Sequence, residues 1–69
     1  MDYATIMAFR AMARALVKAE HVSPDFYLHF AACLDDALVK ADADDKRGAY
    51  VLLEELRARI AQDGGLPIK

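Results

Sequence analysis

The sequence predicts an all-α fold, a small bundle of three antiparallel helices. Of the 69 residues, 57% are hydrophobic, 3 are glycine and 2 are proline. Alanine, the strongest helix former, occurs fourteen times. Apolar residues recur at intervals of three and four along three successive segments, which is the period of an amphipathic helix. The same composition excludes a disordered chain, because disorder requires low hydrophobicity or a high net charge, and the net charge here is −2.

The length predicts one domain, which we place at residues 1–63, followed by a mobile C-terminal tail at 64–69. A core of this size supplies only about 3–5 kcal/mol, and small proteins add disulfides, metals or further subunits. A single cysteine excludes an internal disulfide. No metal site is expected either, so oligomerisation or folding against a partner remains. Of these we expect a homodimer.

Helix 1 is predicted over residues 2–20, with Asp2 as its N-cap. At 100° per residue it has three faces. A broad apolar face is expected to meet the core: Ile6, Phe9, Met12, Ala13, Leu16 and Val17. A second face consists of Ala4, Ala8, Ala11, Ala15 and Ala19. Such small side chains allow another helix to approach closely, within the chain or across an oligomer interface, and solvent exposure is the alternative.

The third face of helix 1 is basic. Arg10, Arg14 and Lys18 follow one another at i,i+4, with Tyr3 beside them. Like charges at this spacing cost about 0.2–0.5 kcal/mol per pair unless acids neutralise them. The candidate acids within the chain are Asp35, Asp36, Glu54 and Glu55. We interpret this basic face as solvated, as a contact for a partner protein, or as a contact for nucleic-acid phosphates.

Helix 2 is predicted over residues 24–41, because Ser23 is a favourable N-cap and Pro24 fits the first helical position. Val22 and Tyr27 have the spacing of a hydrophobic staple. The expected core face comprises Phe26, Tyr27, Phe30, Leu34, Ala37 and Leu38. A second apolar patch comprises Leu28, Ala32 and Val39. Three aligned apolar residues outside the core face indicate contact with another protein.

Helix 3 is predicted over residues 43–62, with Asp42 as its cap, Asp44 and Asp45 in its first turn, and Gly64 and Gly65 ending it. The apolar stripe of helix 2, continued at helical spacing, falls one residue out of phase with the stripe of helix 3. This favours a break between the two, and one very long helix is the alternative. The expected core face comprises Ala49, Leu52, Leu53, Leu56 and Ile60.

Two further features of helix 3 bear on its surface. Glu55 and Arg59 have the orientation of a favourable i,i+4 pair. Tyr50 lies off the core stripe, between Lys46 and Arg57. We interpret it as a half-buried residue at the rim of the bundle or as a partner contact, because Tyr and Arg are enriched at binding hot spots.

Charge is unevenly distributed along the chain. Residues 1–19 carry three cations and one anion, residues 20–45 carry one cation and seven anions, and residues 46–69 carry five cations and three anions. An acidic middle segment between two basic ones favours complementary packing within the fold. It also suits self-association.

The sequence contains no catalytic motif, and we predict no enzyme, no metal and no cofactor. His29, Cys33 and Asp36 share one side of helix 2, but they resemble only part of a metal site. Cys33 is expected to fill a small apolar position at the edge of the core. A bundle this small is also expected to leave little room for a pocket of a few hundred cubic ångströms.

These observations predict a non-catalytic protein-binding module, an adaptor or inhibitor that occludes a surface of a larger protein, of the kind that mobile elements such as phages encode. The expected partner contacts are Arg10, Arg14, Lys18, Tyr3, Leu28, Ala32, Val39 and Tyr50. A self-assembling scaffold subunit is the alternative, and a weak nucleic-acid-binding regulator the second alternative. The sequence contains no run of 18 apolar residues, so it predicts no membrane-spanning helix. We therefore expect a cytoplasmic protein.

Overall fold

A computed structural model of the chain describes residues 3–19, 23 and 25–67. Within these residues it contains three α-helices and no strand: α1 (Tyr3–Lys18), α2 (Phe26–Ala43) and α3 (Arg47–Gly64). The all-α prediction is confirmed, and so is the break between the second and third helices. The predicted roles of Asp2, Val22 and Pro24 fall outside the described residues.

Helices α2 and α3 form an antiparallel hairpin. Near its open end, Tyr27 of α2 lies against Gly64 of α3, and a Cβ atom added to Gly64 would lie 2.5 Å from the Cβ atom of Tyr27. Further along, Arg57 Nε donates to Asp35 Oδ1 over 3.0 Å. The absence of a side chain at Gly64 therefore allows the last turn of α3 to approach the first turn of α2.

The turn between α2 and α3 is a Schellman motif. The N–H of Lys46 donates to the carbonyl of Ala41 over 2.9 Å, and the N–H of Asp45 donates to the carbonyl of Asp42 over 3.1 Å. Asp45 adopts the left-handed conformation that closes this motif, with φ of 57°. Aspartate tolerates that conformation better than most residues.

The predicted start of helix 3 was therefore wrong by four residues. Asp42 lies in the last turn of α2 instead of capping α3, and Asp44 and Asp45 form the turn instead of entering α3. The physical reason is that the terminal carbonyls of α2 find partners in the turn, so that α2 extends to Ala43. Helix α3 then begins after Lys46 without a side-chain cap.

Helix α3 ends in the same motif. The N–H of Leu66 donates to the carbonyl of Ala61 over 2.8 Å, and the N–H of Gly65 donates to that of Gln62 over 3.2 Å. Gly65 has φ of 67°. This chain reversal brings Leu66 against the hydrophobic core. Leu66 therefore packs with the domain although the sequence placed it in the tail.

Asp25 is the N-cap of α2 and makes no side-chain cap bond, so the prediction of Ser23 as the N-cap was wrong. Ser23 nevertheless bonds to the backbone just before the helix. Its Oγ accepts the N–H of Asp25 over 2.9 Å, and its carbonyl accepts the N–H of Phe26 over 2.9 Å. Helix α2 itself begins at Phe26, two residues later than the predicted start.

The core runs between the hairpin and one side of α1. Its buried members are Ile6, Ala13, Tyr27, Ala31, Leu34, Leu56 and Ile60. Four residues that the sequence assigned to the core are instead exposed: Phe9, Met12, Leu16 and Ala49. Ala49 lies near the start of α3, and the other three lie together on α1. Helix α1 is thus held on the hairpin by only part of its apolar face.

Candidate functional site

An open apolar groove lies between α1 and α2. It encloses a volume of about 380 Å³. Its lining residues are Phe9, Met12, Ala13 and Leu16 from α1 and Phe26, His29, Phe30 and Cys33 from α2. The expectation that this bundle leaves little room for a pocket was therefore wrong. The reason is that α1 packs on the hairpin through Ile6, Ala13 and Val17, and leaves the neighbouring apolar side chains uncovered.

Large side chains form both walls of the groove. Phe26 packs against Phe30 with ring centroids 5.8 Å apart, and against Tyr27 at 6.1 Å in an edge-to-face arrangement. On the opposite wall, Met12 is 54% exposed, and Phe9 and Leu16 each expose more than a third of their surface. The groove can therefore bury apolar side chains supplied from outside this chain.

The exposed alanine face of α1 continues the groove without interruption by charge. Ala4, Ala8, Ala11, Ala15 and Ala19 are all exposed, so no helix of the described chain covers them. At 100° per residue these alanines span an arc of about 80°, and Met12, Leu16 and Phe9 extend it to about 160°. We call the groove together with this face the open apolar surface. Whether another subunit packs there stays a prediction.

Charges of opposite sign border the open apolar surface. Beyond the alanines, α1 carries the exposed Arg14 and Lys18, which we call the basic edge. Beyond the groove wall of α2 lie the exposed Asp25 and Asp36, which we call the acidic edge. Lys40, on the same side of α2, is paired with Asp44 at 3.2 Å. The open apolar surface is thus basic on one side and acidic on the other.

Arg10, the first residue of the predicted basic face, is engaged inside the fold. Its Nε donates to Asp63 Oδ2 over 2.8 Å, and its Nη2 donates to Asp63 Oδ1 over 2.6 Å. The two side chains are 18% and 12% exposed. This bidentate bond lowers the pKa of Asp63, with a smaller contribution from the charges of Arg10 and Arg14. The acids proposed from the sequence as partners of this face were the wrong ones.

The remaining predicted contacts lie elsewhere. Leu28, Ala32 and Val39 are exposed on the flank of α2 that faces away from the groove, and Val39 is 70% exposed. Tyr50 is half-buried on α3, and Tyr3 is exposed at the start of α1. The predicted surface pair is confirmed, because Arg59 Nε donates to Glu55 Oε2 over 2.6 Å.

His29 and Cys33 are the groove residues with polar side-chain atoms. Cys33 is exposed rather than packed at the edge of the core. Within residues 3–19, 23 and 25–67, no three His, Cys, Asp or Glu side chains lie close enough together to hold a metal ion. Most of the groove lining is apolar, so apolar contact is the interaction that it offers.

Sequence reasoning identified the alanine face but missed the groove. Phe9, Met12 and Leu16 were assigned to the core but are exposed, because helical period alone cannot show which apolar residues a neighbour covers. Phe26 and Phe30 pack against the core as predicted, and they line the groove as well. A signal was present in the width of the apolar arc on helix 1. Counting the alanines, that arc is wider than a two-helix hairpin can cover.

In the part of the chain that the structure describes, no helix has both the length and the apolar run that a membrane crossing requires. Comparisons of the sequence with protein-family models and with curated proteins find no match, and neither does a comparison with solved structures. The function of this chain is therefore inferred from its own residues.

Proposed function

We propose that this chain is a non-catalytic protein-binding module, an adaptor or inhibitor that acts by covering an apolar helical surface of another protein. The observation that carries the proposal is the groove of about 380 Å³ with its large exposed apolar walls. Apolar grooves between helices receive amphipathic helices, whose anchors at i, i+3, i+4 and i+7 fill them.

The size of the exposed apolar area supports this function. Monomeric proteins rarely leave large contiguous apolar patches in water unless those patches bind something. Here the walls of the groove and the alanine face are contiguous and carry no charged side chain. Each Å² of this apolar surface that binding removes from water stabilises the complex by about 25 cal/mol.

The engagement of Arg10 weakens the nucleic-acid alternative. Phosphate binding depends on the number of cations that neutralise phosphates. Because Arg10 is held by Asp63, the basic face offers Arg14 and Lys18. The carboxylates of the acidic edge would also repel a polyanion.

Two matched substitutions test which surface binds. Met12→Glu places a charge in the groove, and Val39→Glu places the same charge on the opposite flank of α2. Both side chains are exposed, so each variant is expected to fold. The measurement is affinity capture from a nuclease-treated lysate of the native host, quantified by mass spectrometry.

We expect Met12→Glu to reduce recovery of a stoichiometric partner at least about tenfold, because a charge buried at an apolar contact costs several kcal/mol. Val39→Glu is expected to leave recovery unchanged. If Val39→Glu removes the partner and Met12→Glu does not, the binding surface is the patch of Leu28, Ala32 and Val39. If a nuclease-sensitive nucleic acid is recovered instead, the protein-binding function is wrong.

A further inference from the structure

We propose that the groove receives an amphipathic helix of another protein, and that this helix carries two basic side chains, eleven residues apart, along one flank of its apolar face. The inference rests on the proposed function, because it takes the groove as the contact surface. It adds the chemistry of the partner. The observations that carry it are the length of the groove and the charges along one of its walls.

The lining of the groove is two helical turns long. On α1 it extends from Phe9 to Leu16, and on α2 it extends from Phe26 to Cys33. Seven residues of helix rise about 10.5 Å. Apolar anchors at i, i+4 and i+7 of an amphipathic helix cover the same length. The groove therefore matches one helix with three anchors.

The exposed walls of the groove favour a helix over a small apolar molecule. Pockets for small ligands usually cover about 70–90% of the ligand surface. In this groove Phe9, Met12 and Leu16 leave 38%, 54% and 37% of their own surface exposed. A small molecule seated here would keep much of its surface in water. A helix covers its anchors with its own backbone and flanking side chains.

Two carboxylates follow the α2 side of the groove. At 100° per residue, Asp25 and Asp36 lie within about 40° of His29, which lines the groove. Both are exposed, and neither belongs to an ion pair among the described residues. Lys40 lies one turn beyond Asp36, and its charge is engaged by Asp44. The acidic edge therefore presents negative charge to the occupant of the groove.

The α1 side of the groove carries no matching charge. Beyond Met12 the surface of α1 continues with the exposed alanines. Arg14 and Lys18 lie on the side of α1 away from the groove, and Arg10 is held by Asp63. A bound helix therefore gains from cations on the flank that faces α2 and not on the other flank. The same one-sided charge opposes an anionic membrane surface.

The spacing of the two carboxylates predicts the spacing of the cations. Asp25 and Asp36 are eleven residues apart, which is about three helical turns and about 16.5 Å along the axis of α2. Two side chains eleven residues apart on a partner helix span the same distance along one flank. Because the two carboxylates bracket the lining of the groove on α2, the two cations bracket the three anchors.

Three synthetic helical peptides of equal length test the inference through their binding to the full chain, measured by fluorescence anisotropy. All three carry leucines at i, i+4 and i+7. The flank-lysine peptide has lysines at i−1 and i+10, and the flank-glutamate peptide has glutamates at these positions. The back-lysine peptide has its lysines at i+2 and i+9, on the side opposite the leucines. At low salt we expect the flank-lysine peptide to bind at least about threefold more tightly than the back-lysine peptide, and the flank-glutamate peptide to bind most weakly. High salt is expected to remove these differences.

Substitutions in the chain identify the carboxylates. Asp25→Asn together with Asp36→Asn is expected to weaken the flank-lysine peptide at least about threefold and to change the back-lysine peptide less than about twofold. Asparagine is as favourable an N-cap as aspartate, so Asp25→Asn preserves the start of α2. The matched control, Asp42→Asn together with Glu54→Gln, removes two exposed charges away from the groove and is expected to change neither peptide. Met12→Glu is expected to abolish binding of both.

Three results overturn the proposal. If the flank-lysine and flank-glutamate peptides bind equally and Met12→Glu abolishes both, the proposed function stands and the basic flank is wrong. If no peptide binds, while Met12→Glu still removes a captured protein, the proposed function stands and the helical occupant is wrong. If sedimentation equilibrium shows a dimer that Met12→Glu dissociates, a second copy is the occupant. Peptide binding that survives Met12→Glu contradicts the groove itself, and with it the proposed function.

Discussion

At the scale of single residues, the bond between Arg10 and Asp63 ties α1 to the end of α3. Both side chains are mostly covered, and the two N–H groups reach both carboxylate oxygens over 2.8 and 2.6 Å. The sequence suggested acids of the chain as one way to neutralise the basic face, beside a solvated face. It did not identify Asp63, because the predicted helix 3 ended at residue 62. The Schellman motif at Gly65 carries α3 far enough to place Asp63 opposite Arg10.

Asp63→Asn is expected to lower the free energy of unfolding by about 1–3 kcal/mol at neutral pH, because it leaves a largely covered guanidinium without its charged partner. The pKa of Asp63 in the folded chain lies below the ordinary value of 3.8. The carboxylate therefore stabilises the fold above that pH, and its contribution is lost as the pH falls below it. Urea unfolding of both proteins at a series of pH values measures the difference, which is expected to vanish in acid.

The pair of Glu55 and Arg59 is the control for this prediction. Both side chains are about half exposed, and exposed pairs contribute little to stability. Glu55→Gln is expected to change stability by less than about 0.5 kcal/mol at any pH. An equal loss in both variants contradicts a special role for Asp63.

Two glycines of α3 are expected to respond oppositely to alanine. Gly64→Ala places a Cβ atom 2.5 Å from the Cβ atom of Tyr27, which is too close. It is expected to lower the free energy of unfolding by about 1–3 kcal/mol. Gly48 has no atom within 4 Å of a Cβ position, so Gly48→Ala is expected to add about 0.5–1 kcal/mol through helix propensity. Thermal unfolding of the two variants measures both effects, and a stabilising Gly64→Ala contradicts the close approach of the hairpin ends.

At the scale of elements, the number and kind of helices could be predicted from apolar period and alanine content, whereas one boundary could not. The segment Asp42–Asp45 can cap the helix that follows or close the helix that precedes. Propensity alone favours the first, because aspartate is a good N-cap. The backbone selects the second, since Asp45 in a left-handed conformation gives the last carbonyls of α2 their partners.

The left-handed conformation of Asp45 predicts a stabilising substitution. Asp45→Gly removes the steric cost of a side chain at φ of 57° and is expected to raise the free energy of unfolding by about 0.5–1 kcal/mol. Asp44→Gly is the matched control, because Asp44 has φ of −88° and gains nothing from glycine. Chemical denaturation of the two variants distinguishes them, and the prediction fails if both lose stability equally.

At the scale of the whole molecule, the sequence predicted a bundle but not its incomplete closure. Apolar period identifies the residues that avoid water, and it does not show how many neighbours the chain supplies to cover them. Ile6 and Ala13 are the buried residues of α1, whereas α2 and α3 bury Tyr27, Leu34, Leu56 and Ile60 among others. Helix α1 is therefore the least anchored part of the bundle.

Native-state hydrogen exchange is expected to show this difference in anchoring. The amides of α1 open at a lower free energy than those of α2 and α3, because local stability follows the amount of buried apolar contact. The gap is expected to be about 1–2 kcal/mol in dilute protein. The measurement is exchange of each backbone amide by nuclear magnetic resonance. Equal protection in all three helices contradicts a weakly anchored α1.

The placement of Cys33 has a practical consequence. It is the single cysteine of the chain, it is exposed, and it lines the groove. A thiol reagent therefore labels the natural sequence at one site, inside the surface where binding is proposed. The rate of this labelling measures how often the groove is uncovered, and an attached fluorophore registers the loss of water when another helix enters. Cys33 therefore reports whether the groove is occupied, and no substitution is needed to introduce a label.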